Sequence, residues 1–187
     1  MRSESGYFVA VMSTRYPAAT LALVLAAAAL SGCAPAPEPS PTPTPAFASE
    51  EEAFAAAEEV YREYIDAVNA EHGGDASADS HDYLTGTILE SELENSRALE
   101  ASGLHIEGDT VVLGFVGDET TIDAVQATVT GIACLDITSA HVIDAAGKDV
   151  TPAERSDVYS IVVTFVGSSS SLLISKYEVG TGTVCEG

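Results

Sequence analysis

Residues 49–74 read SEEEAFAAAEEVYREYIDAVNAEHGG, and this stretch decides the fold class. Ser49 with Glu52 three residues later is the pattern in which side chains at a helix start bond the free backbone N–H groups of the first turn. Glu50, Glu51 and Glu52 add negative charge at the positive end of the helix dipole. Phe54, Ala57, Tyr61, Tyr64, Ile65 and Val68 then recur at three- and four-residue steps and form one apolar stripe. Glu58, Glu59, Arg62, Glu63 and Asp66 take the opposite face. Gly73-Gly74 ends the helix. Such a stripe must be buried against another layer, and the rest of the chain supplies one. After a polar stretch, Asp75 to Asp82, a second helix is predicted from about Thr87 to Ser102, carrying Ile88, Leu89, Leu93 and Leu99. Beyond Gly103 the period changes from helical to alternating. Val111 to Val116, Ala124 to Ile137, Val158 to Val166 and Leu172 to Val179 are rich in valine, isoleucine and threonine and are divided by glycine, aspartate and serine turns. Gly103 to Glu107 adds a short strand. Helices first and strands afterwards predict an α+β domain with N-terminal helices packed on a curved antiparallel sheet of four to six strands.

This order of elements resembles the cone-shaped α+β fold of the nuclear transport factor 2-like superfamily. Phe54 to Ala70 is the specific part, being similar to the opening helix of many small exported proteins of that superfamily. The resemblance implies that the apolar and aromatic positions of this helix line the inner side of a curved sheet. The superfamily holds isomerases, dehydratases and cyclases beside binding and accessory domains without chemistry, so the fold does not choose between them. No motif of the superfamily's enzymes matches residue by residue.

Upstream, residues 18–30 read AATLALVLAAAAL behind Arg15. A bilayer-spanning helix needs about 20 apolar residues, and this run is shorter, so it reads as a cleaved secretory signal. It closes on Leu30-Ser31-Gly32-Cys33, which resembles the lipobox of bacterial lipoprotein precursors. The resemblance implies cleavage before Cys33, with a diacylglyceryl group on its thiol and acyl chains such as palmitate. Two chains hold a protein on a membrane where one holds only marginally. The alternative is a soluble secreted protein with ordinary cleavage. Met12-Ser13-Thr14-Arg15 makes a compact charged start, and translation is expected to begin at Met12. Ala34 to Ala46 reads APAPEPSPTPTPA, a polyproline II spacer reaching about 40 Å at about 3.1 Å per residue. The expected organisation is therefore signal peptide 1–32, lipid-bearing cysteine and spacer 33–46, and one α+β domain 47–187. The expected location is the outer face of the cell membrane.

The chain has 29 acidic and 7 basic residues; once Glu4, Arg2 and Arg15 leave with the signal, 28 acidic and 5 basic remain, a net −23. Such a field repels nucleic acid and anionic headgroups, so nucleic acid is not an expected partner and membrane contact is left to the lipid. Only Lys148 and Lys176 are lysines, a usage that resembles high-GC Gram-positive bacteria. Past Cys33 the cysteines are Cys134 and Cys185, an even pair that in an exported protein is most simply a disulfide. A metal site would need further ligands, and His141 is the nearest in sequence.

Tyr61, Tyr64, Asn69, Tyr83, His105, Tyr159 and Tyr177 are the polar-tipped residues expected to point into the cone, where they would hold a small apolar ligand by its polar groups. On helical or alternating spacing, the tyrosines among them more often pack as core with their hydroxyls at the rim. Asp66, Asp123, His105 and His141 are the groups available for acid-base work. Asp75, Asp79, His81 and Asp82 share a glycine-flanked loop whose spacing departs from the EF-hand pattern, so a mobile polar loop is expected rather than a calcium site. No nucleophile elbow, phosphate loop or dinucleotide fingerprint occurs. No metal or cofactor is expected. The leading expectation is a lipid-anchored, non-catalytic binding or envelope-accessory domain; a small-molecule enzyme in the cone and a component of a surface complex are the alternatives.

Overall fold

The opening helix forms as its pattern dictates. Helix α1 (Glu50–His72) is capped by Ser49, whose side chain accepts the backbone N–H of Glu52 at 3.2 Å, while the Glu52 carboxylate reaches back to the N–H of Ala48 at 2.8 Å. Ala53, Ala57, Tyr61, Tyr64 and Ile65 are its buried residues. The computed structural model describes residues 44–180 and Cys185, which belong to one compact unit, Thr42–Gly187. Cys33, its lipobox, Met12 and the spacer as far as Pro43 lie outside the described residues. Among the described residues no helix is long and apolar enough to cross a membrane.

Helix α2 (Gly86–Ala101) follows a single 3-10 turn at Ser80–Tyr83. Among the described residues six strands follow: β1 (His105–Glu107), β2 (Val111–Ile122), β3 (Ala127–Asp136), β4 (His141–Ile143), β5 (Val158–Ser168) and β6 (Ser171–Val179). The main sheet runs β2-β3-β5-β6 and is antiparallel throughout, while β1 and β4 form a separate antiparallel ribbon. This is the α+β architecture expected, with strand β4 added. Strand β2 runs six residues past the expected end at Val116, because Gly117 lies under the Phe54 ring instead of making a turn.

Alternation along the strands separates the faces. Ala127, Val129, Ala133 and Leu135 of β3, Val163 and Phe165 of β5, and Leu172 and Ile174 of β6 are buried against Ala53, Ala57 and Tyr61 of α1. Each fully buried Val, Leu, Ile or Phe among them contributes about 1.5–3 kcal/mol of transfer free energy. Gly117 and Gly131 face each other across β2 and β3. A Cβ on Gly117 would enter the Phe54 ring and one on Gly131 the Phe115 ring, so the two glycines are where aromatic rings lie flat on the sheet backbone.

The packed fold takes in Ala46 and Phe47, both buried. The Ala46 N–H donates to the Asp123 carbonyl at 3.1 Å and its carbonyl accepts from the N–H of Ser169 at 3.2 Å. At the other end Cys134 and Cys185 form a disulfide with Cα atoms 5.4 Å apart, 51 residues apart in sequence. Cys134 is an outward position of β3, and its register partner Ser160 is buried although it also faces outward. Gly180 explains this: its N–H donates to the Ser160 carbonyl at 2.8 Å, and its Cα lies close over the Ser160 hydroxyl.

Candidate ligand-binding cleft

A cleft of about 430 Å³ opens between the C-terminal half of α1, helix α2 and the inner ends of β5 and β6. Tyr64, Val68, Glu71 and His72 enter it from α1, and Glu92 and Leu99 from α2. Ile106, Tyr159 and Tyr177 come from the strands, and Ser80 and His81 from the 3-10 turn. A neighbouring hollow of about 460 Å³ shares Glu71, His72, Leu99 and Ile106 and extends to Leu104 and His105.

Tyr177 reaches the cleft through a bulge. Leu172 and Ile174 point inward, and strict alternation would turn Tyr177 outward. Between β5 and β6, however, Thr164 pairs with Lys176 and Phe165 with Ile174, leaving Ser175 as an extra residue whose hydroxyl donates to the Thr164 carbonyl at 3.1 Å. The extra residue shifts the parity, so Tyr177 opposes the buried Val163 and faces inward. Its hydroxyl donates to Glu92 Oε1 across the cleft.

Glu71, in the last turn of α1, is fixed by the 3-10 turn: the Ser80 N–H donates to Oε1 at 2.6 Å and the Ser80 hydroxyl to Oε2 at 3.0 Å. Burial pushes the Tyr64 hydroxyl pKa up, and the carboxylates of Glu92 and Glu71 push it further. Both acids therefore act on the same point in the cleft. Tyr177 is raised too, first by burial and then by its bond to Glu92, and Tyr159 by burial. All three tyrosines stay neutral hydrogen-bonding groups well above neutral pH. His72 has its pKa lowered chiefly by burial, which favours the uncharged imidazole.

Of the seven residues expected in the cavity, Tyr64, Tyr159 and Tyr177 line it. Tyr61 instead fills the core, with Tyr64 and Phe115 rings 6.1 and 6.2 Å away, and burial raises its pKa strongly. Tyr83 packs edge-on against Tyr64 and opens toward a different hollow. Asn69 does not reach the cleft. Its amide donates to the Thr110 carbonyl at 2.8 Å and accepts the Thr110 N–H at 2.8 Å, which fastens the start of β2 to α1. His105 is exposed on β1, bonded to Glu107 at 3.1 Å, and touches only the outer hollow.

The acid-base candidates are not brought together in the cleft. Asp66 is exposed on α1, and Asp123 lies in the β2–β3 turn. His105 and His141 share one face of the β1–β4 ribbon, but His141 is engaged with Asp149 at 3.0 Å and His105 with Glu107. The polar loop is built from turns: Asp75 Oδ1 accepts from the Ser77 N–H and hydroxyl, and Asp79 Oδ1 from the His81 N–H at 3.0 Å. Asp75 and Asp82 take no part in a ligand group. Among the described residues, Glu71, Asp79 and His81 place one donor atom each within 4.8 Å of one another. The cysteines are committed to each other, so His141 has no thiolate partner for a metal.

Sequence reasoning missed Glu71, Glu92, His72 and Ser80. Glu71 and Glu92 sit among many surface glutamates, and nothing in their spacing distinguishes them. The one usable signal was Glu92 on the apolar edge of α2, three residues past Leu89 and seven before Leu99.

No family model matches this chain, and no curated protein matches it. Among solved structures it is similar to the crystal structure of the intermembrane space region of the chloroplast protein ARC6, with a TM-score of 0.50 and 18% identity over 67% of this chain and 95% of that one. At that identity the likeness is one of fold alone.

Proposed function

We propose that this chain is a lipid-anchored, extracytoplasmic protein whose α+β domain binds a small molecule in the α1–α2–sheet cleft without transforming it. The observation that carries the binding reading is the cleft itself: a concave site with an apolar flank, Leu99 and Ile106, and a few convergent polar groups, Tyr64, Tyr159, Tyr177, Glu71 and Glu92. The polar groups are already held by bonds within the fold, Glu92 by Tyr177 and Glu71 by Ser80, which suits recognition by a preformed site. The anchoring reading is supported by Leu30-Ser31-Gly32-Cys33, by the proline-rich spacer and by a disulfide that fits an oxidising compartment. The element order supports the nuclear transport factor 2-like assignment, in which an inner concave face is the functional one.

The tests are separate for the two halves. Cys33→Ala should leave the precursor uncut or release the protein into the medium and abolish labelling by radioactive palmitate. Membrane retention without label would overturn anchoring. A fragment screen by NMR on isotope-labelled protein should map hits onto the ring resonances of Tyr64, Tyr159 and Tyr177. Hits confined to other surfaces would overturn the cleft.

A further inference from the structure

The charges inside the cleft narrow what it takes. Its described lining carries two carboxylates, Glu71 and Glu92, and neither lysine nor arginine. Of the two lining histidines, His72 has its charged form disfavoured by burial. Arg155 acts on Tyr159 but is spent elsewhere: its guanidinium donates to the Ile137 carbonyl at 2.8 Å and lies 3.8 Å from Asp157. Two formal negative charges thus stand beside three uncharged phenols with no lysine or arginine in the walls, and the second histidine there, His81, is engaged by Asp79 at 3.0 Å. The phenols offer aromatic faces and hydroxyl oxygens, both of which attract a cation.

From the cleft's geometry and charge we infer that its ligand is a small organic cation, an amine or quaternary ammonium with an apolar body. The ammonium group sits between Glu71 and Glu92 against the Tyr64 and Tyr177 rings. The body extends along Leu99 and Ile106 toward the adjoining hollow, which continues the same apolar flank through Leu104. Hard metal ions are served less well, because the Glu71 oxygens are already engaged by Ser80. An anionic ligand would meet the two carboxylates, and a neutral one would leave their charge without a partner in a partly desolvated site. This inference rests on the cleft being the binding site, and the probes below separate the two.

The full chain in a nonionic detergent is titrated with 2-phenylethylammonium, 2-phenylethanol and phenylacetate, compounds of similar shape that differ in charge. The chain has seven tyrosines and no tryptophan, so quenching of tyrosine emission reports on the site, with calorimetry alongside. The ammonium compound should bind at least about tenfold tighter than the alcohol, a difference of about 1.4 kcal/mol, and phenylacetate should bind weakest. Glu92→Gln keeps the acceptor for Tyr177 and should cut ammonium affinity about tenfold without affecting the alcohol; Glu71→Gln should act in the same direction. Glu90→Gln, on the exposed side of α2, should change nothing. Melting curves of each variant establish that the fold is intact. Equal affinity for the ammonium compound and the alcohol would overturn the cation inference while leaving the cleft as the binding site. Ammonium binding that survives both glutamate changes would overturn it as well. No binding of any probe would overturn both readings.

Discussion

Replacing Asn69 with alanine separates a structural clamp from a ligand contact. The Asn69 amide makes two hydrogen bonds of 2.8 Å to the backbone of Thr110, one through each end, and both are part-buried. Each such bond has a net value of about 1 kcal/mol, so the pair contributes about 2 kcal/mol. Alanine is the better helix former by about 0.6 kcal/mol, which offsets part of the loss. The expected cost is therefore about 1.5 kcal/mol, or a fall of about 5 °C in Tm for a domain of this size. Urea denaturation followed by far-ultraviolet circular dichroism, with the disulfide intact, reads this directly; the midpoint should fall while the slope stays constant. Asn69→Asp keeps the acceptor for the Thr110 N–H but sets a carboxylate against the Thr110 carbonyl, and should cost at least as much as alanine. Neither change should alter binding in the cleft. A loss below about 0.5 kcal/mol, or an aspartate variant close to wild type, would refute the clamp.

Glycines of the main sheet should be unequal. Gly131→Ala forces the Phe115 ring off the sheet and is expected to cost about 1–3 kcal/mol, whereas Gly114→Ala meets open space and should be neutral or slightly stabilising; equal effects would contradict this packing. Alkaline stability follows from the tyrosines. Tyr61 and Tyr64 have folded pKa values raised above the ordinary 10, so the folded state keeps protons that the unfolded chain gives up. Their stabilisation is complete below pH 10 and falls as pH rises, by about 1.4 kcal/mol per pH unit for each, with half-exposed Tyr159 and Tyr177 adding less because solvent screens them. The share of the tyrosinate absorption that is lost in a Tyr61→Phe, Tyr64→Phe variant should appear together with loss of secondary structure near pH 12; its appearance at pH 10 in a folded protein would contradict it. Changing both Cys134 and Cys185 to serine opens a loop of 51 residues and should cost about 4 kcal/mol in the chain-entropy model, measured by chemical denaturation.

The fold class was legible because its signals are local and redundant. The cap at Ser49, the stripe on α1 and the alternating strands each recur over many residues, and the structure places them as an α+β domain. What escaped the sequence depended on partners far along the chain. Gly117 looks like a turn until the Phe54 ring, 63 residues earlier, is seen to cover it. Asn69 reads as a cavity residue until Thr110, 41 residues later, takes both ends of its amide. Tyr177 was placed in the cavity, yet the reason, an extra residue at Ser175, is invisible in an alternating pattern. Strand β4, only His141–Ile143, is too short to show a period and exists through its pairing with β1. Glu71 and Glu92 illustrate the general difficulty in a chain of 29 acids: composition hides the two that the fold turns inward.

The two hydrogen bonds of Ala46 have a mechanical meaning. Its N–H is held by the carbonyl of Asp123 in the β2–β3 turn and its carbonyl by the N–H of Ser169 in the β5–β6 turn, with Phe47 buried next to it. A pull on the chain ahead of Ala46 is therefore shared between two hairpin tips at one end of the sheet before it reaches the first turn of α1. If Cys33 carries the proposed lipid and the chain ahead of Ala46 comes under tension, the load is met by the sheet's hairpins, while the cleft, framed by the C-terminal half of α1, lies beyond the point where it is taken up.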